Sequence, residues 1–508
     1  MAENRTKNIM RSTISGVVFK VVSILLPFLI RTITIHTLGN EYVGLKSLFT
    51  SILQVLSLSE LGFQTAISFS MYKPVSEGDK EKTCALLALL KKVYSIIGFV
   101  ILAVGIVVTP FLTYLIEGDV PADINIYVIY LMYLFNTVIS YFMFAYTSSL
   151  LSAHQRNDVE NIISLFANIF MYTSQIVVLW LFKNYYVYTI FLPISTVLIN
   201  IFRYIRVKKL FPDYKAEGKV DKEEAKKIYK NIGALAGHKL SGVIISSVSN
   251  IIISAFLGGL TILGIYDNYY FIVTALIQII SMVYSSLTPT IGNCIVSDSV
   301  EKNYNDFKTL TFCNVWLIGW MSICLLCLFQ PFIEFYAGSD SLLPKTTMIL
   351  LVLYFYLWKF KDMLSAYKDA AGMWKEDFWK PYVVTVVSLL FNIVLVKYIG
   401  INASLLSGIA GFFIVSMPWE THVFFKSYFK KSEAPYYLRM LIYTLIIAVL
   451  AVGTYFICSL ITAKGIVGII LKGLICLTVP NIFIVLFSFK SYEFNRVFSK
   501  VKSILKRK

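Results

Sequence analysis

Four basic side chains interrupt stretches that are otherwise apolar: Lys20, Arg31, Lys46 and Lys239. A cation near the middle of a hydrocarbon layer costs about 2.5–3.5 kcal/mol on insertion scales, so each needs a reason to be retained. The chemistry such groups offer inside a membrane is the holding of anionic oxygens. Lys20 and Lys239 sit at matching places in two halves of the chain, with His238 beside the second. They read either as ammonium groups that snorkel to the interface or as a cation pair at the mouth of a cavity. Arg31 lies about five and a half helical turns beyond Arg11 and past Pro27, a residue that kinks a helix and frees carbonyls. We read it as a cavity residue; the competing reading is an interfacial anchor with His36 one turn further on. Lys46, Glu60 and Gln64 follow a 3.6-residue period, with Glu60 and Gln64 one turn apart. Glu60 is either an ion-pair partner within its own half or a group that takes up a proton during a transport cycle. Asn250 and Asp267 stand at the second-half equivalents of Arg31 and Lys46, which makes the expected cavity cationic on one wall and polar on the other. Glu420 and Lys472 stand alone in their spans and read as structural or interfacial.

The elements that must position these groups are membrane helices. The 508 residues are 57% hydrophobic and 15% charged, with a mean hydropathy of +0.72. Soluble proteins carry about a quarter charged residues. Fourteen apolar runs begin near residues 13, 42, 86, 124, 160, 186, 231, 264, 310, 345, 381, 402, 438 and 466. Runs this long and continuous are helices, because in lipid a backbone must bond to itself. The first is too long for a signal-peptide core and lacks a cleavage pattern, so it is expected to remain as a membrane helix. Of the 46 Lys and Arg residues, 37 fall on both termini and on alternate loops, and the opposite loops hold only Lys183, Lys345, Lys397 and Lys464. Positive charge stays inside, so both termini are expected in the cytoplasm and the net charge of +17 reflects topology. With no soluble domain to carry that charge, nucleic acid is not a partner.

The chain also repeats itself. Leu38-Gly39 recurs as Leu257-Gly258, Pro110-Phe111-Leu112 as Pro331-Phe332-Ile333, Asp119 as Asp340 and Asp158 as Asp377. Six spans per half is an even number, so the halves enter the membrane in the same sense. The expected fold is all-α: two parallel six-helix bundles, residues 1–215 and 216–432, followed by residues 433–508 with spans 13 and 14 and a basic tail. Missing motifs narrow the function. There is no G-x-x-x-x-G-K-[ST] loop, no H-E-x-x-H and no outer loop large enough for a catalytic domain. ATP-driven pumping, glycosyl transfer and polysaccharide polymerisation are disfavoured. No enzyme activity, cofactor or metal is expected. The seven cysteines do not have the spacing of a disulfide framework, and Cys324-x-x-Cys327 lies mid-span, where thiols serve as small apolar groups. Tyr269, Tyr270 and Tyr284 read equally as core and as platforms for sugar rings.

At Leu38-Gly39 with Tyr42 and Gly44, at Glu60-Leu61-Gly62-Phe63-Gln64-Thr65-Ala66-Ile67-Ser68, at His154-Gln155-Arg156 and at Trp374-Lys375-Glu376-Asp377-Phe378-Trp379-Lys380-Pro381, the sequence resembles the Wzx-type polysaccharide-unit flippases. These belong to the multidrug/oligosaccharidyl-lipid/polysaccharide exporter superfamily. The resemblance implies a flippase of the bacterial cytoplasmic membrane that turns a polyprenyl-diphosphate-linked (undecaprenyl-type) oligosaccharide to the outer leaflet by alternating access, for cell-surface polysaccharide synthesis. It also implies a cationic cavity that holds the diphosphate, here offered by Lys20, Arg31, Lys46 and Lys239. Membrane lipids, a polymerase, glycosyltransferases and a coupling ion, H+ or Na+, are the partners it suggests. Two relatives within the superfamily remain as alternatives: a lipid II flippase, because spans 13 and 14 resemble its extra pair, and a cation-coupled multidrug antiporter.

Overall fold

With hydrocarbon on all sides the backbone can only bond along its own helix, and the chain is helical nearly throughout. The computed structural model describes the backbone of residues 2–60, 62–118 and 120–505, and their side chains except at residues 2–10, 59, 224, 227, 229–236, 238, 239, 500, 501 and 503–505. Asp119 and the side chains of His238 and Lys239, singled out above, lie outside the described residues.

In chain order the helices are α1 (Ala2–Thr37), α2 (Asn40–Leu56), α3 (Phe63–Glu77), α4 (Lys80–Val108), α5 (Ile126–Phe142), α6 (Thr147–Ala153), α7 (Asn157–Phe182), α8 (Tyr185–Leu210), α9 (Lys222–Phe256) and α10 (Gly259–Ser297). There follow α11 (Val300–Ala337), α12 (Lys345–Phe360), α13 (Asp362–Ala370), α14 (Lys380–Ile399), α15 (Asn402–Gly411), α16 (Met417–Phe424), α17 (Ala434–Ser459), α18 (Gly465–Ser488) and α19 (Tyr492–Leu505). Among the described residues there is no strand. Each of the fourteen expected apolar runs falls on a helix or a broken helix. Among the described residues ten are long and apolar enough to cross a membrane unbroken, and α5 with α6, bent by 55°, makes an eleventh.

The other three expected spans fall short for local reasons. The run through α2 and α3 breaks at a tight turn over Ser57–Glu60, and Gly62 at φ +96° occupies left-handed space that a side chain would disfavour. The run through α12 and α13 breaks at Lys361, and the described apolar part of α9 is short, Leu240–Phe256. The run from α15 to α16 stays continuous through wider π-helical turns at Phe412–Ser416 and Phe425–Phe429.

By compactness the chain divides into Met1–Gly264 and Ile265–Lys508. In the first unit α1 packs along α7, α7 and α5 pack on α8, and α2 packs on α9. In the second, α11 is central and carries α12, α17 and α18, while α14 pairs with α15.

The duplication is visible in the backbone. Gly39 and Gly258, the two Leu-Gly glycines, both have positive φ, +111° and +99°. Asp158 and Asp377 are both buried, 2% and 0% exposed. Within the first unit α2 crosses the start of α10 reciprocally. A Cβ on Gly44 would lie 1.9 Å from the Leu260 carbonyl oxygen, and one on Gly264 would lie 2.0 Å from that of Asn40. Thr261 Oγ1 donates to Glu41 Oε1 at 3.3 Å across the same crossing.

Candidate functional site

The first unit gathers its basic residues around two tyrosines. Lys46 of α2 lies within electrostatic reach of the Tyr172 hydroxyl on α7, and Tyr172 lies within reach of Tyr188 on α8. Tyr188 in turn meets Arg31 of α1 and bonds Thr34 one turn away. Arg31 of α1 and Lys46 of α2 thus each lie within electrostatic reach of a tyrosine of the same unit. Gln175, fully buried on α7, donates from Nε2 to the Tyr188 carbonyl at 3.1 Å. Its Oε1 has no hydrogen-bond partner among the described residues. Guanidinium, ammonium and phenol groups all present N–H or O–H bonds, and a guanidinium grips two oxygens at once. Groups of this kind bond to anionic oxygens rather than to cations.

The remaining expected residues are distributed differently. Lys20 is half-buried in α1. Glu60 binds no lysine or arginine among the described residues; its carboxylate accepts from the Tyr141 hydroxyl and lies beside that of Tyr94. Gln64 donates to Ser148 Oγ at 3.0 Å and accepts from Tyr94 at 3.3 Å. Despite the broken helix, Glu60 and Gln64 still meet at Tyr94. Asn250 joins α9 to α2 through Ser47 and Ser51, at 3.3 and 3.0 Å. Asp267, in the second unit, sits beside Tyr266 and Tyr270. Of the tyrosines considered as sugar platforms, Tyr269 is buried and bonded to Gln330 at 2.8 Å, and Tyr284 is bonded to Asn314.

A second constellation was not foreseen. Glu420, expected to stand alone, is the hub of a buried ion cluster. Its carboxylate accepts from Lys361 Nζ and Ser365 Oγ, each at 2.8 Å, and from Lys380 Nζ. Asp377 accepts from Lys368 and, at 2.7 Å, from Lys380. Lys368, Asp377 and Glu420 are each at most 2% exposed. The cluster ties α13, the Trp374–Pro381 motif, α14 and α16 together. In the first unit its counterpart is a bidentate pair between Arg156 and Asp158 at 2.9 and 3.2 Å. Removing one member of a buried pair strands the others in low dielectric and costs about 3–5 kcal/mol. Glu420→Ala should therefore lose about that much stability, read as a lower unfolding midpoint in detergent and less protein in the membrane. A loss under about 1 kcal/mol, the value typical of exposed pairs, would demote the cluster to decoration.

The His154-Gln155-Arg156 stretch is also structural. The His154 ring lies 4.1 Å from that of Phe211 and 5.3 Å from that of Tyr214. Burial there holds its imidazole below the ordinary pKa, and so neutral at pH 7.

The all-helical fold is that of the multidrug/oligosaccharidyl-lipid/polysaccharide exporter superfamily, as solved structures show. The lipid II flippase MurJ in an inward closed conformation is similar at TM-score 0.67 and 16% identity, over 94% of this chain and 98% of that one. An inward-facing multidrug resistance MATE transporter is similar at 0.62 and 16%, over 79% and 94%. A transporter of the superfamily from Pyrococcus furiosus, described as having a binding pocket of reversed polarity, is similar at 0.54 and 16%, over 84% and 97%. Residues 9–295 match the family model "Polysaccharide biosynthesis protein", and the chain belongs to that family. Among curated proteins none matches in sequence. It is a multi-pass membrane protein of all-α fold.

Proposed function

We propose that the protein is a flippase that carries a polyprenyl-diphosphate-linked oligosaccharide from the cytoplasmic to the outer leaflet of the bacterial cytoplasmic membrane. The observation that carries this reading is that Arg31 and Lys46, two cations retained in apolar spans, lie within electrostatic reach of Tyr188 and Tyr172 in the same unit. Such a pair suits an anion, and membership of a polysaccharide biosynthesis family supports a lipid-linked sugar as its bearer. Export of a headgroup with about two negative charges from a negative interior is downhill by about 2.3 kcal/mol per charge per 100 mV. H+ or Na+ coupling and cooperation with a polymerase and glycosyltransferases belong to the same reading. So do cytoplasmic termini and the six-plus-six repeat with two appended spans.

Alternating access needs a contact that opens and closes, and the Gly44–Gly264 crossing supplies one. By the charge distribution it lies toward the outer face. Its tightness fits an outer gate in the closed state.

Lipid II is the second reading, favoured by the likeness to MurJ over 94% of the chain, including spans 13 and 14. Deletion of the gene separates the two. Loss of surface polysaccharide, with a polyprenyl-linked oligosaccharide accumulating on the inner leaflet and peptidoglycan synthesis intact, is the expected result. Accumulation of lipid II would replace the first reading by the second, and accumulation of neither would remove both.

A further inference from the structure

Four of the seven cysteines come together from three helices. Cys324 and Cys327 lie on α11, Cys458 in the last turn of α17 and Cys476 midway along α18. The Sγ atoms of Cys327, Cys458 and Cys476 all lie within 4.8 Å of one another, with Cys458 and Cys476 at 4.0 Å. Cys324 places its thiol beside Cys476 as well. All four are free thiols, and Cys327, Cys458 and Cys476 are buried. Two thiols meeting in an apolar core is ordinary packing. Three within 4.8 Å, from three helices and with a fourth thiol alongside, is the grouping of a ligand set.

The spacing fits a metal better than a disulfide. A tetrahedral ion with metal–sulfur bonds of about 2.3 Å holds its sulfurs about 3.8 Å apart, close to the separations here. A disulfide needs about 2.05 Å and would leave the other thiols unused. The Cys458 thiol donates to the Lys472 carbonyl at 3.9 Å. An all-sulfur shell selects soft d10 cations over magnesium or calcium. Charge is partly offset: Zn(II) with four thiolates carries two negative charges, and the Lys472 ammonium lies within electrostatic reach of Cys458 to offset one of them. The helices are already fixed for the purpose. Trp320 Nε1 donates to the Cys476 carbonyl at 2.9 Å and Trp316 Nε1 to Asn481 Oδ1 at 2.8 Å, seating α18 on α11. Cys458 lies next to the short α17–α18 connection, which gives an ion a way in.

We propose that Cys327, Cys458 and Cys476, with Cys324 as fourth donor, form a closed structural site for one thiophilic d10 cation, Zn(II) or Cu(I). The ion clamps the α17–α18 hairpin to α11, and each coordinating thiol releases its proton on binding.

The test uses the full-length protein in detergent, stripped with chelator under reducing conditions and then supplied with Zn(II) or Cu(I). Elemental analysis should find about one ion per chain, the unfolding midpoint should rise, and the cluster thiols should become protected from a thiol reagent. Cys458→Ser with Cys476→Ser should bring the ion to about none, while Cys84→Ser, outside the cluster, should keep it. Wild type that binds no ion at saturating metal overturns the proposal. So does a double variant that still binds one, or a wild type isolated with these thiols joined as disulfide. Should the double variant fail to fold, the wild-type stoichiometry and thiol protection still decide.

Discussion

Gly44→Ala should abolish transport while leaving the chain inserted in the membrane. The added methyl would sit 1.9 Å from one backbone carbonyl oxygen and 3.0 Å from the Gly264 nitrogen, and neither can swing aside as a side chain would. The helices must separate instead. Overpacking of this kind costs about 1–3 kcal/mol, which shifts the ratio of closed to open states by about 5- to 150-fold. Gly264→Ala should behave alike, because its methyl meets the Asn40 carbonyl in the mirrored way. A cysteine replacing Thr261 should be labelled faster by a membrane-impermeant reagent in either background, since Thr261 bonds Glu41 across the crossing. Gly453→Ala in α17 is the control: nothing lies within 4 Å of its added methyl, and transport should persist. Wild-type export by Gly44→Ala would show that this contact is not part of the cycle.

How much of this was legible beforehand depends on whether the information is local. Helices were readable because each apolar run dictates its own structure, and the Leu-Gly repeat was readable because both glycines serve the same left-handed turn. Arg31 and Lys46 stood out because cations are expensive in such runs. Tyr172 and Tyr188 did not, since a tyrosine in a membrane helix is common and their meeting depends on α7 packing on α8. Glu420 was misjudged as isolated. Its lysines lie 40 and 59 residues earlier and had been counted among loop charges. The usable signal was energetic: a carboxylate in an apolar span needs a cation, and the lysines of the preceding loop were the nearest supply. Glu60 shows the converse, a carboxylate satisfied by a hydroxyl that no charge count reveals. The thiol cluster escaped notice for the same reason as the tyrosines, because Cys324-x-x-Cys327 shows two thiols in sequence while Cys458 and Cys476 arrive from the last two spans.

Arg31→Ala should stop export of the lipid-linked oligosaccharide, with normal membrane insertion. A charge-assisted hydrogen bond to phosphate contributes about 1.5–3 kcal/mol, so its loss weakens substrate binding by about 10- to 150-fold. Arg31 is also the member of the cluster best able to grip two oxygens at once, so Arg31→Lys should keep part of the activity through charge alone. Tyr188→Phe provides the internal comparison. It removes the hydroxyl that Arg31 faces but keeps both cations, and should cost less than Arg31→Ala. If the guanidinium were only an interfacial anchor, the alanine variant would export normally, or would fail through poor insertion that Arg31→Lys restores in full. Accumulation of the polyprenyl-linked intermediate on the inner leaflet, at unchanged protein level, distinguishes a substrate-holding arginine from both outcomes.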